Sequence, residues 1–286
     1  MHRRTLLTGL AGTMVAAPAM AQFNLGNIIQ NTTSVIGALT ASEGDEVKMG
    51  ETYYQPYLEK SGGAYPDRNA QEALKKFAQP LMAASDRKDL PWDISLVKSD
   101  QVNAWALPGG KLAINSALVS AAKTPDELAS VIAHEIGHAD KGHGLSQMRK
   151  QSLLTGLGGL GKEALSAFGG AGGALTAQVL TALEGPLYTL VLTGYSRTNE
   201  FEADSHILQI FERTGYDPDK ADDFFHTLLK LSPQGAGTTS LFSTHPGTQE
   251  RIAKLEEAAA KMAHPSQAAT APGWAELKSI FPTAKG

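Results

Sequence analysis

Thr124-Pro125-Asp126-Glu127-Leu128-Ala129-Ser130-Val131-Ile132-Ala133-His134-Glu135-Ile136-Gly137-His138 is the stretch from which the rest of the chain is read. Thr124 is a helix N-cap by residue type, Pro125 suits the first helical position and Glu127 the first turn. Leu128, Val131, Ile132 and Ile136 recur at helical spacing, which predicts a helix with one apolar side. On that helix His134 and His138 are four residues apart and project from one face, one turn apart. Two imidazole nitrogens so placed can reach one ion at roughly 2.0–2.1 Å each, the zinc–imidazole distance. Glu135 points about 100° away and borders the ion without binding it. A carboxylate there can take a proton from water, the general-base role in a zinc peptidase. The plain alternative is two exposed histidines beside a solvated glutamate, and the presence of further donors decides between the two.

A catalytic zinc needs a third protein donor and an open position. Ser196-Arg197-Thr198-Asn199-Glu200-Phe201-Glu202-Ala203-Asp204 supplies the candidates. Glu200 and Asp204 are four apart and share a helix face. With Glu200 on the ion, Asp204 is placed to accept a hydrogen bond from the outer nitrogen of a ligating histidine and so fix its ring. Arg197 is a candidate to orient Glu200 or Asp204. Glu202 falls on another face and is expected in solvent. His143, beyond the first helix, is read as structural rather than as a metal ligand. Without the first motif, the second would read as an acidic helix face.

Around these two helices the expected organisation is α+β: a mainly helical, zincin-like metallopeptidase domain over residues 45–262, with a small β-sheet before the H-E-x-x-H helix. Helices are predicted over 45–58, where Pro56 is expected to end the helix early, and over 69–84, 195–213, 219–231 and 248–262. Trp92–Lys98 alternates like a strand. Val102–Leu107, the turn Pro108-Gly109-Gly110 and Lys111–Asn115 read as a strand, a turn and a returning strand. Trp105 reads as a core or turn residue before it reads as a substrate contact, because large aromatics dominate burial. Residues 232–243 are expected to be loop and 263–286 a loose C-terminal tail.

The 286 residues, 42% of them hydrophobic, suffice for one large domain or two small ones. The formal net charge is −4 and the basic residues are scattered, so no nucleic-acid partner is indicated. There is no cysteine, which excludes disulfides, a thiolate nucleophile, thiolate-bound zinc and a lipid on an N-terminal cysteine. Residues 1–21 read as a signal peptide: His2-Arg3-Arg4 is basic, Thr5 to Ala17 is mostly apolar, and Ala19-Met20-Ala21 is a small-x-small site for cleavage after Ala21. Arg3-Arg4-Thr5-Leu6-Leu7 is similar to a twin-arginine export signal. An uncleaved anchor is the alternative, though the apolar run is short for a span. Residues 22–44 are expected to be a flexible lead-in. Residues 151–194 are glycine-rich and then apolar, interrupted by Glu184-Gly185-Pro186. They read as a pair of helices covering the core or, on a sharper reading, as a flap in peripheral contact with membrane or with unfolded clients.

His134 to His138 together with Ser196-Arg197 and Glu200-x-x-Ala203-Asp204 resemble the HtpX/BepA-like zinc metallopeptidases of periplasmic type, gluzincins related to the CAAX prenyl proteases. Asn103-Ala104-Trp105-Ala106-Leu107-Pro108-Gly109-Gly110 is similar to that family's segment before the active-site helix. The likeness runs from about Asp45 to about Leu255. It implies one Zn2+ per chain held by His134, His138 and Glu200, with Glu135 as base and Asp204 behind a ligand. It implies that the strand around Asn103, Ala104, Trp105 and Ala106 binds substrate backbone by β-addition. It also implies that His245, in Ser243-Thr244-His245-Pro246-Gly247, can take the fourth position and hold the enzyme off. The chain differs from the prenyl-protease and HtpX branches in lacking clear membrane-spanning helices.

The function so implied is a zinc-dependent metalloendopeptidase of the periplasm that cuts unfolded or misassembled envelope proteins. The alternative is a non-catalytic, zinc-stabilised chaperone or assembly scaffold for exported proteins.

Overall fold

A computed structural model describes residues 43–148, 184–231 apart from 186, 190 and 192, 240–245 and 248–283. The signal-peptide reading of 1–21 and nearly all of the lead-in lie outside the described residues, as does most of 151–194.

The described residues are mostly helical with one three-stranded sheet, an α+β arrangement. Two helices, α1 (Glu43–Lys60) and α2 (Arg68–Ala83), precede strands β1 (Asp93–Val97), β2 (Ala104–Leu107) and β3 (Lys111–Asn115). Then come α3 (Ser116–Ala121), α4 (Pro125–Asp140), α5 (Arg197–Thr214), a 3-10 turn at Pro218–Lys220, α6 (Asp223–Leu231), α7 (Ser240–Thr244), α8 (Thr248–Ala259) and α9 (Trp274–Ile280).

The sheet runs β1-β3-β2, with β1 parallel and β2 antiparallel to the central β3. The β2–β3 turn uses Gly109 and Gly110, both at φ +76°, a region that favours glycine. Strands β2 and β3 are buried on both faces, which is why they read as nearly continuous apolar runs. Ile94, Leu96, Ala104, Ala106, Leu112 and Ile114 join the main core with α2, α4 and α5. Their neighbours Val97, Trp105, Leu107 and Ala113 face a second core built on Met49, Tyr53, Tyr54 and Tyr57 of α1. Trp105 lies there, edge-on to Tyr54 and Tyr57.

Three expectations need correction. Pro56 does not end α1, which runs on to Lys60 because Tyr57 and Leu58 beyond it are buried in the second core. Residues 240–243 of the expected loop belong to α7, while 232–239 lie outside the described residues. The C-terminal stretch is not a loose tail: Trp274 packs on Phe77, and Leu277 and Phe281 are buried. Gly273, at φ +81°, carries the start of α9 so close to α2 that a Cβ there would lie 2.2 Å from the Ala73 carbonyl oxygen.

What positions the site is the contact between α4 and α5. Helix α4 begins at Thr124, whose side chain accepts from Glu127 N at 3.2 Å. Glu127 reaches back to Lys123 N at 2.6 Å and accepts from Thr227 Oγ1 of α6 at 2.8 Å. Helix α5 begins at Ser196, capped by the same kind of bond from Asn199 N, and ends at the left-handed Gly215. The two helices meet backbone to backbone at Gly137 and Ala203: a Cβ on Gly137 would stand 3.0 Å from Ala203 Cα and from His206 Cβ. At the far end of this contact Asp140 accepts from His206 Nε2 at 2.6 Å and from Asp86 N at 2.8 Å.

Candidate metal centre and active site

Because α4 and α5 touch at two small residues, the side chains one turn away converge. His134, His138, Glu200 and His245 each offer one donor atom, and the four atoms lie within 4.8 Å of one another, all buried. His134 Nε2 is 3.0 Å from His138 Nε2 and 3.2 Å from His245 Nδ1. Glu200 places its oxygens 3.5 Å from each of the first two histidines and 3.1 Å from His245 Nδ1.

The outer nitrogens of the α4 histidines are held by other groups. His134 Nδ1 faces Asp204 Oδ1 at 3.0 Å. His138 Nδ1 faces His143 Nδ1 at 2.9 Å, and His143 Nε2 faces Glu202 Oε2 at 2.8 Å. With protons running outward along both chains, each α4 histidine turns a bare Nε2 toward the centre. Tyr195 stacks on the His138 ring at a centroid separation of 3.8 Å and an angle of 16°.

This geometry is a fit test for a metal. A neutral imidazole has one N–H, and with that proton on the outer nitrogen the inner one is free to bind a cation. Three ring nitrogens and a carboxylate are left pointing at one small volume, an arrangement that a cation satisfies and that neutral groups leave with opposed lone pairs. Three nitrogens and one carboxylate oxygen suit a first-row ion such as zinc.

The electrostatics agree. Burial works against charge on His134, yet hydrogen bonds to Asp204 and then Glu200 push its pKa up to about 9: the site favours a positive charge. Burial and the neighbouring His134 hold His138 well below the usual histidine value. Burial would raise Glu200, but His245 and then the hydrogen bonds from His134 and His245 keep its carboxyl well below the usual range.

Glu135 is fully buried, and neither of its oxygens has a hydrogen-bond partner among the described residues. His245 Nε2 is 3.5 Å away. Burial raises the Glu135 carboxyl, with His245 and His134 opposing it. An unpartnered buried carboxylate is costly and calls for a role.

The sequence does not single out Arg251 of α8. It is 1% exposed. Its Nε and Nη2 donate to the two oxygens of Asp204, each at 2.6 Å, and Nη1 lies 2.7 Å from Glu200 Oε2 and 3.1 Å from the His245 carbonyl oxygen. Hydrogen bonds from Arg251 and His134 outweigh burial and lower the Asp204 carboxyl. Arg197, expected to orient Glu200 or Asp204, does neither. It lies on the surface, paired with Glu250, because the first turn of α5 turns it away from the cluster. A trace of Arg251 exists in the sequence: it stands four before Leu255 and eight before Ala259, on the inward stripe of its helix. Glu202 is half exposed, as expected, but serves His143, which is itself buried.

The residues expected on the substrate strand fall at the sheet edge beside this cluster. Ala104, Trp105 and Ala106 are all buried, and Asn103 is half-buried. The outer side of β2 meets the chain's own segments: Tyr195 Oη is 3.5 Å from Ala106 O, and Leu241 N donates to Val102 O at 3.2 Å. A cleft of about 10 Å3 between Ala106, Tyr195 and Thr244 leads from the edge to Glu135 and His245.

A histidine pair on one helix, an acid on a second and an idle glutamate beside them define the H-E-x-x-H class of metal-site proteins. Residues 68–259 match the family model described as Peptidase family M48, and the chain belongs to that family. It is 27% identical over 269 residues to the beta-barrel assembly-enhancing protease of Escherichia coli K12, covering 91% of this chain and 54% of that protein. It is 30% identical over 193 residues to the mitochondrial metalloendopeptidase OMA1 of Arabidopsis thaliana, covering 67% of this chain and 36% of that one. The metalloprotease YcaL of Escherichia coli K12 is 28% identical over 185 residues, 64% of this chain and 68% of its own length. The chain thus spans about half the length of the first of these relatives. No described helix is long and apolar enough to cross a membrane.

Proposed function

We propose that the chain is a zinc-dependent, zincin-like metalloendopeptidase acting in the cell envelope on unfolded or misassembled polypeptides. The observation that carries this reading is Glu135: a buried carboxylate without a hydrogen bond, beside four converging donor atoms. Membership of Peptidase family M48 and the likeness to a protease named for β-barrel assembly support the activity and the substrate class. The basic and apolar pattern of residues 1–21 supports export to the periplasm.

His134, His138 and Glu200 would hold the metal, which would supply a Lewis acid for the scissile carbonyl and for the attacking water. Glu135 takes the proton from water and returns it to the leaving amine. Asp204 and His143 keep the two imidazoles oriented, and Arg251 holds Asp204 ionised. The edge of β2 aligns an extended segment, since only an extended chain can pair with it. His245 shuts the site by standing where the fourth donor goes, so catalysis requires the His245 segment to move.

The test is Glu135→Gln. The variant is expected to bind one zinc per chain and to lose cleavage of unfolded casein; casein cleavage at the parental rate ends the proposal. One observation favours a second reading. Four protein donors are the count of a structural metal site, which a zinc-stabilised scaffold would have. A parent chain that keeps its zinc, binds casein and never cuts it would decide for the scaffold.

A further inference from the structure

A larger cavity that no step above uses adjoins the narrow cleft at the β2 edge. It holds about 480 Å3 against about 10 Å3 for the cleft, and the two share Trp105, Val191 and Thr244 as walls. Lys60, at the end of α1, and Lys98, just past β1, both line it. We propose that this chamber receives the part of the substrate chain that runs on from the cleft and binds a carboxylate there on Lys60 and Lys98. The carboxylate is that of an acidic side chain or of the substrate's own C-terminus. The proposal rests on the peptidase reading and narrows its substrate class.

The backbone brings the two lysines together. Gly62 and Gly63, at φ +123° and +80°, turn the chain back at the end of α1. Lys98 N then donates to Gly63 O at 2.9 Å, Ala64 pairs with Val97, and a Cβ on Gly62 would lie 2.2 Å from Lys98 O. Charge comes next. The chain has 29 acidic residues against 25 lysines and arginines, yet no acid is among the described residues of the lining. Lys60 Nζ meets Glu184 at 3.0 Å, with both side chains 46% exposed. Water screens so open a pair, and a substrate carboxylate can take the place of Glu184 in it. The ammonium also lies 5.1 Å from the ring centroid of Tyr188 and 5.8 Å from that of Tyr57, which keeps it at the chamber wall. Lys98 has no ion pair among the described residues. An acidic group entering the chamber therefore meets two cations, and a basic one is repelled by them.

Direction is the third point. Gln101 and Asn103, also on the lining, precede β2, so the chamber extends past the N-terminal end of that strand. A segment paired antiparallel with β2, the more stable of the two pairings, sends its C-terminal side that way. The carboxylate thus falls on the C-terminal side of the scissile bond, where an acidic side chain and a chain end can both supply it. The chamber has its full volume with His245 in the donor cluster, so this binding does not wait for any segment to move. Such a site favours acid-rich segments and chains cut near their C-terminus.

Two measurements test this. Fluorescence anisotropy reads binding of labelled peptides to zinc-loaded chain carrying Glu135→Gln. The peptides are alike except for Glu, Gln or Lys at one position, which is moved along the sequence, and each is made with a free and with an amidated C-terminus. Mass spectrometry maps the bonds that the parent cuts in unfolded casein. A carboxylate is expected to tighten binding about fivefold over its neutral amide, with Lys weakest, and the difference should shrink with added salt. A difference that follows Glu assigns the chamber to an acidic side chain; one that follows the free C-terminus assigns it to the chain end. The cut bonds are expected to carry an acid or the chain end at a fixed distance on their C-terminal side. Lys60→Gln/Lys98→Gln should bring the acidic and neutral peptides level, and Glu184→Gln, which frees Lys60, should widen the gap. Equal binding of acidic and neutral peptides overturns the chamber, as does a preference that survives in Lys60→Gln/Lys98→Gln or a failure to bind any of the peptides. Casein cleavage by the parent in any of those cases leaves the peptidase reading standing. Selective binding by a chain whose parent cuts nothing does the reverse.

Discussion

His138 and His245 face the same small volume and are held there by very different means. His138 stands in the middle of a sixteen-residue helix that lies against α5 at the Gly137–Ala203 contact. Its ring is pinned by His143 on one edge and stacked against Tyr195 on a face. His245 follows a five-residue helix, and its backbone is held by two hydrogen bonds, to Leu241 O and from Arg251 Nη1. A donor set with three fixed members and one on a short lever can lose the fourth without losing its frame. The comparison separates the side chains held fast in the cluster from the one proposed to move, and each variant below presses on one side of it.

The largest effect is expected at Arg251. Replacing it by Met removes both bonds to Asp204 and the contact with Glu200, and leaves the buried Asp204 with His134 as its remaining partner among the described residues. Breaking a buried pair by removing one partner costs about 3–5 kcal/mol. Denaturant unfolding of the zinc-loaded protein should show a loss of that order. A loss under about 1 kcal/mol would mean that the fixed side of the site does not depend on its ion-pair network. His245→Ala comes next and acts on the other side. Zinc stoichiometry should hold, because three donors remain, and basal casein cleavage should rise severalfold. If His245→Ala loses zinc as fully as His138→Ala does, the distinction between fixed and movable donors fails.

These two variants also mark how far the sequence could be read. His134, Glu135 and His138 are legible because ligand spacing on a helix is local: four residues make one turn, and no tertiary information is needed. Glu200 and Asp204 are legible for the same reason within their own helix, although that they meet α4 is a fact of packing, written in Gly137 and Ala203. The sheet was legible because its turn needs the two glycines at 109 and 110, while its strand order was not, since parallel pairing of β1 with β3 leaves no local mark. Arg251 and His143 escaped because nothing near them in sequence names their partners. Arg251 meets Asp204 across 47 positions. Its helix reads like any amphipathic helix with a basic residue at the margin of its apolar stripe. The C-terminal helix was missed for a related reason: seven residues give too few turns for a periodic signal, and its hold on the core comes from Trp274 meeting Phe77.

His143 offers a finer measure of the fixed side. If the His143–Glu202 chain orients His138, then His143→Ala should weaken zinc binding about 10–100-fold in a competitive chelator titration. His143→Gln, which keeps an acceptor within reach of His138 Nδ1, should recover part of that loss. Equal affinity in all three proteins would show that the stacked Tyr195 ring suffices to hold His138 in place.

The smallest effect is expected at the residue the sequence favoured for this work. Arg197 and Arg251 both belong to acidic neighbourhoods, but the Arg197 side chain is 65% exposed and pairs with a glutamate that is itself 43% exposed. Water screens such a pair and the two long side chains lose entropy in making it, so its net worth is close to nothing. Arg251 meets its carboxylates where no water screens them, and their bidentate geometry fits a guanidinium. Arg197→Ala should therefore leave the unfolding midpoint, zinc affinity and casein cleavage at parental values. A tenfold loss of zinc affinity in that variant would mean that the surface arginine is coupled to Glu200 through the first turn of α5, and the site would then have two supporting cations rather than one.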